Sequence, residues 1–477
     1  MADSVHPVRR ADIVVLIALA AIVIFPALGQ THHLASREIR HAEIIREIAE
    51  SNDFFVPRLL GEVYRDKPPV MHAVAAVLVH WAGKPSMFLN RLPSAVAGIL
   101  GVLATYGLGV VLYERRVGLC AAIALLGIPG YTIMARVARP DMILCTAILG
   151  SCLALARGMR EQRHGVRTLY FLLAGAACGL GVVTKGPYGI LVPILFAAFA
   201  PIRRPDWKRP HWGWIGFLCG LFALAAIWVV PVFLRDHGQY LRSMLVQPDL
   251  DVTVEEKSRV FLVYLWQGLA YSMPLALFLP LALYDLRRAY SAPLTVAGAI
   301  FLIISCVPKK RPHYLLPLYP FLALGIAESM VRHGQTSQWV RRSMWVLLSI
   351  GVLSVPIYYG VALPRLHPQE DGDLYLARQI LPHIETGATV YCVKTSDEAI
   401  AWVAQRTGLT KHFDDRNEAS WSAWIASKNA YLLIPENRWR KLRESHKAIS
   451  FQEVLRCEVE SETVLLLRIQ PSATGRS

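Results

Sequence analysis

Charge is scarce in this chain. Only 18% of its 477 residues are Asp, Glu, Lys or Arg, while 54% are hydrophobic. With a mean hydropathy of +0.38, it is too apolar for a soluble protein of this size. Internal repeats, low-complexity segments and Gly/Ser linkers are absent too, which excludes a repeat array or a string of tethered modules. The eight cysteines lack metal-ligand spacing. Cys120, Cys145, Cys152, Cys178, Cys219 and Cys306 fall in or beside apolar runs and read as packing residues. Cys392 and Cys457 lie in the C-terminal tail and are able to pair if that tail faces an oxidising compartment. The net charge of +15 sits mostly between apolar runs, which fits lipid headgroups and topology and argues against nucleic acid as a partner.

What is present is a series of apolar runs of roughly 15 to 25 residues, the mark of a polytopic helical membrane protein. About eleven spans are expected, near 12–29, 92–113, 117–134, 142–157, 169–184, 187–201, 213–234, 260–284, 293–307, 314–331 and 343–363. The fifth and sixth are short enough to be one broken helix. The first follows Arg9-Arg10 without a clean small-x-small cleavage site and reads as an uncleaved helix. Segment 69–82 is too short to cross comfortably and carries His72 and His80, so an interfacial or re-entrant helix is expected. With the N-terminus inside, the inner loops are compact and basic, as the positive-inside rule requires. The outer loops, 30–91 foremost, also hold cations, set beside carboxylates, aromatics and prolines. Positive charge on that side suits anion binding. From about 364 the composition becomes that of a small α/β domain, with strands at 388–393, 430–435 and 464–469 and helices near 373–385, 396–406 and 436–445. No glycine-rich nucleotide fingerprint precedes a helix there, so a lid or acceptor platform is the expected role.

The densest charge lies in residues 36–69, SREIRHAEIIREIAESNDFFVPRLLGEVYRDKPP. Ser36 is a candidate N-cap and Glu38 falls in the first turn, where a carboxylate suits the helix dipole. Arg40, Glu43, Glu47 and Glu50 form one stripe, and Ala42, Ile45 and Ala49 the opposite apolar face. Glu38 points into that apolar face, as a wet cap or as a carboxylate bound to something. Further on, Tyr64-Arg65-Asp66-Lys67-Pro68-Pro69 flanks an acid with two cations before a stiff Pro-Pro pair. Together these pieces resemble the first outer loop of bacterial membrane glycosyltransferases of the GT-C class. That group includes the 4-amino-arabinose lipid A transferase and the protein O-mannosyltransferases. The resemblance covers roughly residues 10–330. It implies an all-α membrane domain of about 11 to 13 helices over 1–363, carrying a small C-terminal α/β periplasmic domain over 364–477.

Four more stretches join that loop on the outer side. Arg136-Val-Ala-Arg139-Pro140-Asp141 is either a helix cap or, as the resemblance implies, a cavity acid. Lys185 in Thr184-Lys185-Gly186-Pro187 either snorkels to headgroups or meets an anion. Lys309-Lys310-Arg311-Pro312-His313-Tyr314 sets three cations against the topological trend, which a lipid phosphate would explain. Arg259, before the next span, is able to reach the same phosphate. The resemblance implies a glycosyltransferase of the bacterial inner membrane, N-terminus cytoplasmic, moving sugar from a polyprenyl-phosphate donor to a lipid A-like lipid or a protein or glycan acceptor. Glu38 and Asp141 are then the acids; Lys67, Lys185, Arg259, Arg311 and Tyr314 the donor-phosphate ligands; Arg37, Arg40 and Tyr64 the acceptor or sugar contacts. A divalent metal ion is admitted, with Asp66 as its ligand. One departure stands out: the family has Asp-Glu at the head of the first-loop helix, and this chain has Arg37-Glu38. A transporter or flippase, or a non-catalytic binder of lipid-linked saccharides, is the alternative.

Overall fold

The structure is a computed structural model. It describes residues 8–31, 34, 37–202, 207, 211–246, 262–307, 310–366, 371–393, 397–413, 417, 420–422, 424, 427, 429–445, 451–459 and 462–469. The chain divides into two compact units. One comprises Met1–Gly29, Arg65–Ala75 and Phe88–Ala362, the other Gln30–Tyr64, Ala76–Met87 and Leu363–Ser477.

The first unit is a helical membrane bundle. Each apolar run carries a helix, but fewer of these are long than the runs suggest. Among the described residues, five helices are long and apolar enough to cross a membrane, or up to seven if each bent pair is one span. Arg115–Leu126 and Pro129–Ala135 meet at 69°, and Val263–Tyr271 and Leu275–Arg288 at 106°. Gly127 closes one helix and Pro129 opens the next, so the run 117–134 breaks where proline has no N–H to continue it. Val70–Ala82, Tyr188–Phe199 and Ala292–Cys306 are shorter apolar helices.

Small residues let backbones touch. A Cβ on Gly175 would lie 1.8 Å from Phe217 O, and one on Gly220 2.1 Å from Leu172 O, so helices His164–Lys185 and His211–Asp236 cross at backbone contact. His164–Lys185 and Tyr188–Phe199 are two helices and not one, because Gly186 holds φ 86° and ψ −154° between them. Only glycine adopts that conformation readily, and Gly186→Ala should cost about 1–3 kcal/mol. Thermal unfolding in detergent would register this as a lowered midpoint.

Polar side chains fix the first helix at both ends. Arg115 forms a bidentate pair with Asp12 at 2.6 and 2.7 Å, and Tyr106 donates to the same carboxylate at 2.6 Å. At the other end Arg91 donates to Leu28 O at 2.8 Å, while Arg136 donates to the carbonyls of Ile24 and Pro26 and lies 3.9 Å from the Tyr359 ring centroid. Carbonyls left over at a helix C-terminus attract cations in this way.

The second unit is built on a five-stranded mixed sheet. The short hairpin β1 (Arg58–Leu59) and β2 (Glu62–Val63) stands apart from it. The sheet runs β4 (Thr410–His412), β3 (Thr389–Cys392), β5 (Ala430–Pro435), β7 (Glu462–Ile469), β6 (Phe451–Val459). β3 is parallel to both its neighbours, and the remaining pairs are antiparallel. The central strands read as apolar runs because both faces are covered. Leu374, Ala377 and Ile400 pack on one face, and Phe413, Trp421 and Trp424 on the other. Cys392 and Cys457 do not pair. They sit on β3 and β6 with β5 and β7 between, a gap of roughly three strand spacings, about 14 Å, beyond a disulfide's reach. In the membrane unit Cys219 and Cys306 are exposed on their helices, whereas Cys120, Cys145, Cys152 and Cys178 are packed inside.

Helix Glu38–Ser51 also belongs to the second unit. Ile39 and Ala42 enter the same core as Leu374 and Ala377, and Asp371 accepts from Leu34 N at 3.1 Å.

Candidate functional site

Asp141 opens helix Asp141–Arg160, directly after Pro140, so its carboxylate meets the positive end of the helix dipole. It is only 3% exposed. Lys185, in the last turn of His164–Lys185, closes on Asp141 Oδ1 in a tight ion pair. Arg139 Nε lies 3.6 Å from Oδ2 and His313 Nε2 4.0 Å from Oδ1. Lys185 Nζ also stands 4.8 Å from the centroid of the Tyr314 ring, which meets His313 edge-on at 4.8 Å. Lys67, from the Asp66-Lys67-Pro68-Pro69 string, joins the same electrostatic cluster. Burial lowers its pKa first, and the charge of Lys185 lowers it further, against the pull of Asp66 and Asp141. Burial likewise pushes His313 down to about 3, only Asp141 opposing it. Lys185, Arg139 and Lys67 thus gather at a single buried carboxylate, and protons are disfavoured on Lys67 and His313. A cluster of that sign attracts anions.

The structure separates residues that the sequence runs together. Arg136 is spent on helix carbonyls, so only Arg139 of that pair attends Asp141. Likewise the three cations 309–311 do not act as one phosphate clamp. Lys310 is buried and turned inward, donating to Ser305 O and Val307 O at 3.1 and 3.0 Å, where it caps helix Ala292–Cys306. Lys309 lies outside the described residues, as does Arg259. Arg311 is half-buried; its N–H donates to Tyr264 Oη at 2.8 Å and its carbonyl accepts from that hydroxyl at 3.2 Å. Tyr188 donates to Tyr314 O at 3.3 Å and steadies the same turn. On the helix that carries Tyr264 begins an apolar cavity of about 300 Å³, lined by Leu265, Leu269, Leu283, Ala297, Phe301 and Leu322 among others.

The other candidates lie in the second unit. Glu38 is 1% exposed at the start of its helix, and Arg37 is the exposed N-cap, left-handed at φ 64°. Ser36 lies outside the described residues. Arg40 pairs with Glu398 at 2.8 Å. The stripe 43, 47, 50 is mostly buried and paired. Arg46 holds Glu43 at 2.6 and 2.9 Å and Glu50 at 2.5 Å, and Glu47 accepts from Gly61 N at 3.2 Å. Burial pushes the Glu43 carboxyl up, and Arg46 offsets it. Arg46→Ala leaves that carboxylate buried and unpaired, which should cost about 3–5 kcal/mol, read as a lowered unfolding midpoint that Glu43→Gln in the same chain partly restores. Tyr64 is buried, its N–H donating to Pro57 O at 2.9 Å.

Asp66 is exposed, and among the described residues no three His, Cys, Asp or Glu side chains gather as a metal-ligand set. Asp141 is already surrounded by cations, a donor set unsuited to a divalent ion. No step below is routed through a metal.

The family model described as dolichyl-phosphate-mannose-protein mannosyltransferase matches residues 66–229. Over 95% of this chain and 97% of the other, the structure superposes on apo ArnT from Cupriavidus metallidurans with a TM-score of 0.76 at 17% identity. This chain is a membrane protein of the GT-C glycosyltransferase fold. The same ArnT bound to undecaprenyl phosphate gives a TM-score of 0.75 at 18% identity, covering 96% and 98%. In sequence, the undecaprenyl phosphate-alpha-4-amino-4-deoxy-L-arabinose arabinosyl transferase 2 of Sodalis glossinidius (strain morsitans) is 29% identical over 362 residues, 70% of this chain and 63% of that one. The Aeromonas hydrophila transferase is 26% identical over 310 residues, 62% and 55%. The chain thus spans between about half and two thirds of the length of these curated relatives. The GT-C fold accounts for the multi-pass bundle and for the small mixed-sheet unit that follows it.

Proposed function

We propose that the protein is an integral membrane glycosyltransferase that takes sugar from a polyprenyl-phosphate donor and delivers it to a lipid A-like acceptor. The observation that carries this is the cluster of cations around Asp141, with an apolar cavity on the helix whose Tyr264 bonds to Arg311. An anion with a long apolar tail matches both. Lys67 and Lys185 hold the phosphate by charge, Tyr314 shapes the cavity floor, and Arg311 adds a donor. Asp141 keeps Lys185 and Arg139 in place and does not itself take a proton, being paired with a cation.

Transfer needs the departing phosphate to be stabilised, and fixed cations in a water-poor cavity do this without rearrangement. Glu38, buried at its helix start, is the candidate proton acceptor for a hydroxyl acceptor. An acceptor that is itself an anionic phosphate needs no such base, and exposed Arg37 would attract it. Direct displacement with inversion at the anomeric carbon follows by likeness to the family. The N-terminus is cytoplasmic and the second unit periplasmic, as the basic inner loops favour.

The test is turnover. Purified protein is incubated with a panel of polyprenyl-phosphate sugars, and free polyprenyl phosphate is followed. Release from one donor supports the reading and identifies the sugar. Saturable binding of the lipid-linked sugars with no release would favour a binder or flippase, with Arg37 as the reason chemistry is lost.

A further inference from the structure

His313 has no part in the phosphate site as described so far. Its position gives it one. The imidazole sits on the turn Pro312–Leu315, with Nε2 4.0 Å from Asp141 Oδ1 and its ring edge-on to Tyr314. The charged groups facing it come from three other elements: Lys67 from the 65–75 segment, Arg139 and Asp141 from the start of one helix, and Lys185 from the end of another. Burial and these cations hold its pKa down, and Asp141 opposes them.

A bound lipid phosphate changes this balance. The donor is a phosphodiester and brings one negative charge. After transfer the carrier is a monoester, whose second ionisation lies near ~6, so it brings close to two charges at neutral pH. The potential at the imidazole therefore becomes more negative as the reaction completes.

On the reading that this cavity holds the polyprenyl phosphate, we propose that His313 is part of the phosphate site and takes up a proton when the spent carrier's phosphate monoester is bound there. The sign follows from linkage. A group that gains proton affinity on binding draws a proton from solution, so the monoester is held more tightly as pH falls and let go more readily as it rises. His313 thereby distinguishes product from donor and governs release of the spent carrier.

The test is isothermal titration calorimetry of undecaprenyl phosphate into the full-length protein in detergent at pH 7.5. Wild type, His313→Gln and His313→Asn are each measured in two buffers of different ionisation enthalpy. Loss of the phosphate's own proton against the cations contributes with the opposite sign and equally in all three. Wild type should therefore take up about one proton more per lipid than either variant. Equal proton counts with binding retained overturn the inference and leave the lipid-phosphate site standing. Absence of wild-type binding overturns both. Should the variants fail to fold, histidine-ring-labelled wild type decides: lipid phosphate should move one of the 15 histidines to the charged chemical shift, and no such movement rejects the inference.

Discussion

Asp141→Asn should lower sugar transfer by about 10²–10³-fold, the loss typical when one fixed electrostatic group is removed from a transition-state site. The expected mechanism is indirect. Asp141 holds Lys185 by a tight ion pair and Arg139 at 3.6 Å. With the charge gone and the volume kept, only the Tyr314 ring still attracts the Lys185 ammonium, which is freer to extend toward the membrane interface. The same change leaves two cations facing each other in a buried cavity. Breaking a buried pair on one side costs about 3–5 kcal/mol of stability. Activity therefore has to be compared at a temperature where the variant is folded, and undecaprenyl phosphate should raise the variant's unfolding midpoint by supplying the missing anion. Lys185→Met alone should lower activity by a similar factor. The double variant should be little worse than either, since residues of one ion pair do not act additively. Full additivity would show that Asp141 works independently of Lys185.

Lys67→Ala should behave in the opposite way on stability. Lys67 is half-buried among cations, with Lys185 and Arg139 both working against its charge. Truncation relieves that repulsion, so the unfolding midpoint should hold or rise. Affinity for polyprenyl phosphate should nonetheless fall, by about 1.5–3 kcal/mol for one charged hydrogen bond, or roughly 10- to 150-fold. The pH dependence follows from the same cause. Its pKa lies below that of an ordinary lysine, so the ammonium is fully present at low pH and is lost as pH rises through that lowered value. Wild-type phosphate binding should weaken in that range, earlier than a normal lysine would give, and the variant should lack this limb. A titration of lipid phosphate affinity against pH for both proteins checks it. A stability loss as large as that of Asp141→Asn would mean that Lys67 is a structural cation.

These two expectations also mark how far the sequence could be read. The helical positions were legible because apolar runs between basic loops leave few alternatives. The number of long spans was not, because Pro129 and the bend before Leu275 cut runs that composition counts whole. In the second unit β3, β5 and β7 stood out as apolar stretches. β6 did not, since an edge strand reading FQEVLRCEV carries charge on its open side. At the site, residue types were readable and partners were not. Lys185 reaches Asp141 across 44 positions, a choice fixed by helix packing and invisible to local pattern. Lys310 looked like part of a clamp and is a helix cap. Arg46 holds the buried Glu43 carboxylate, a pairing that the stripe of acids did not reveal. His313 was in plain sight within a basic string, but only the fold shows that it faces Asp141.

The central claim is that the cations around Asp141 receive the phosphate of a lipid carrier. A cryo-EM structure of the protein with undecaprenyl phosphate tests it most directly. The phosphate is predicted within hydrogen-bond distance of Lys67 and Lys185, with the polyprenyl chain along the cavity lined by Leu265, Leu269 and Phe301. A phosphate bound elsewhere, with Lys185 still closed on Asp141 and that cavity empty, would contradict it.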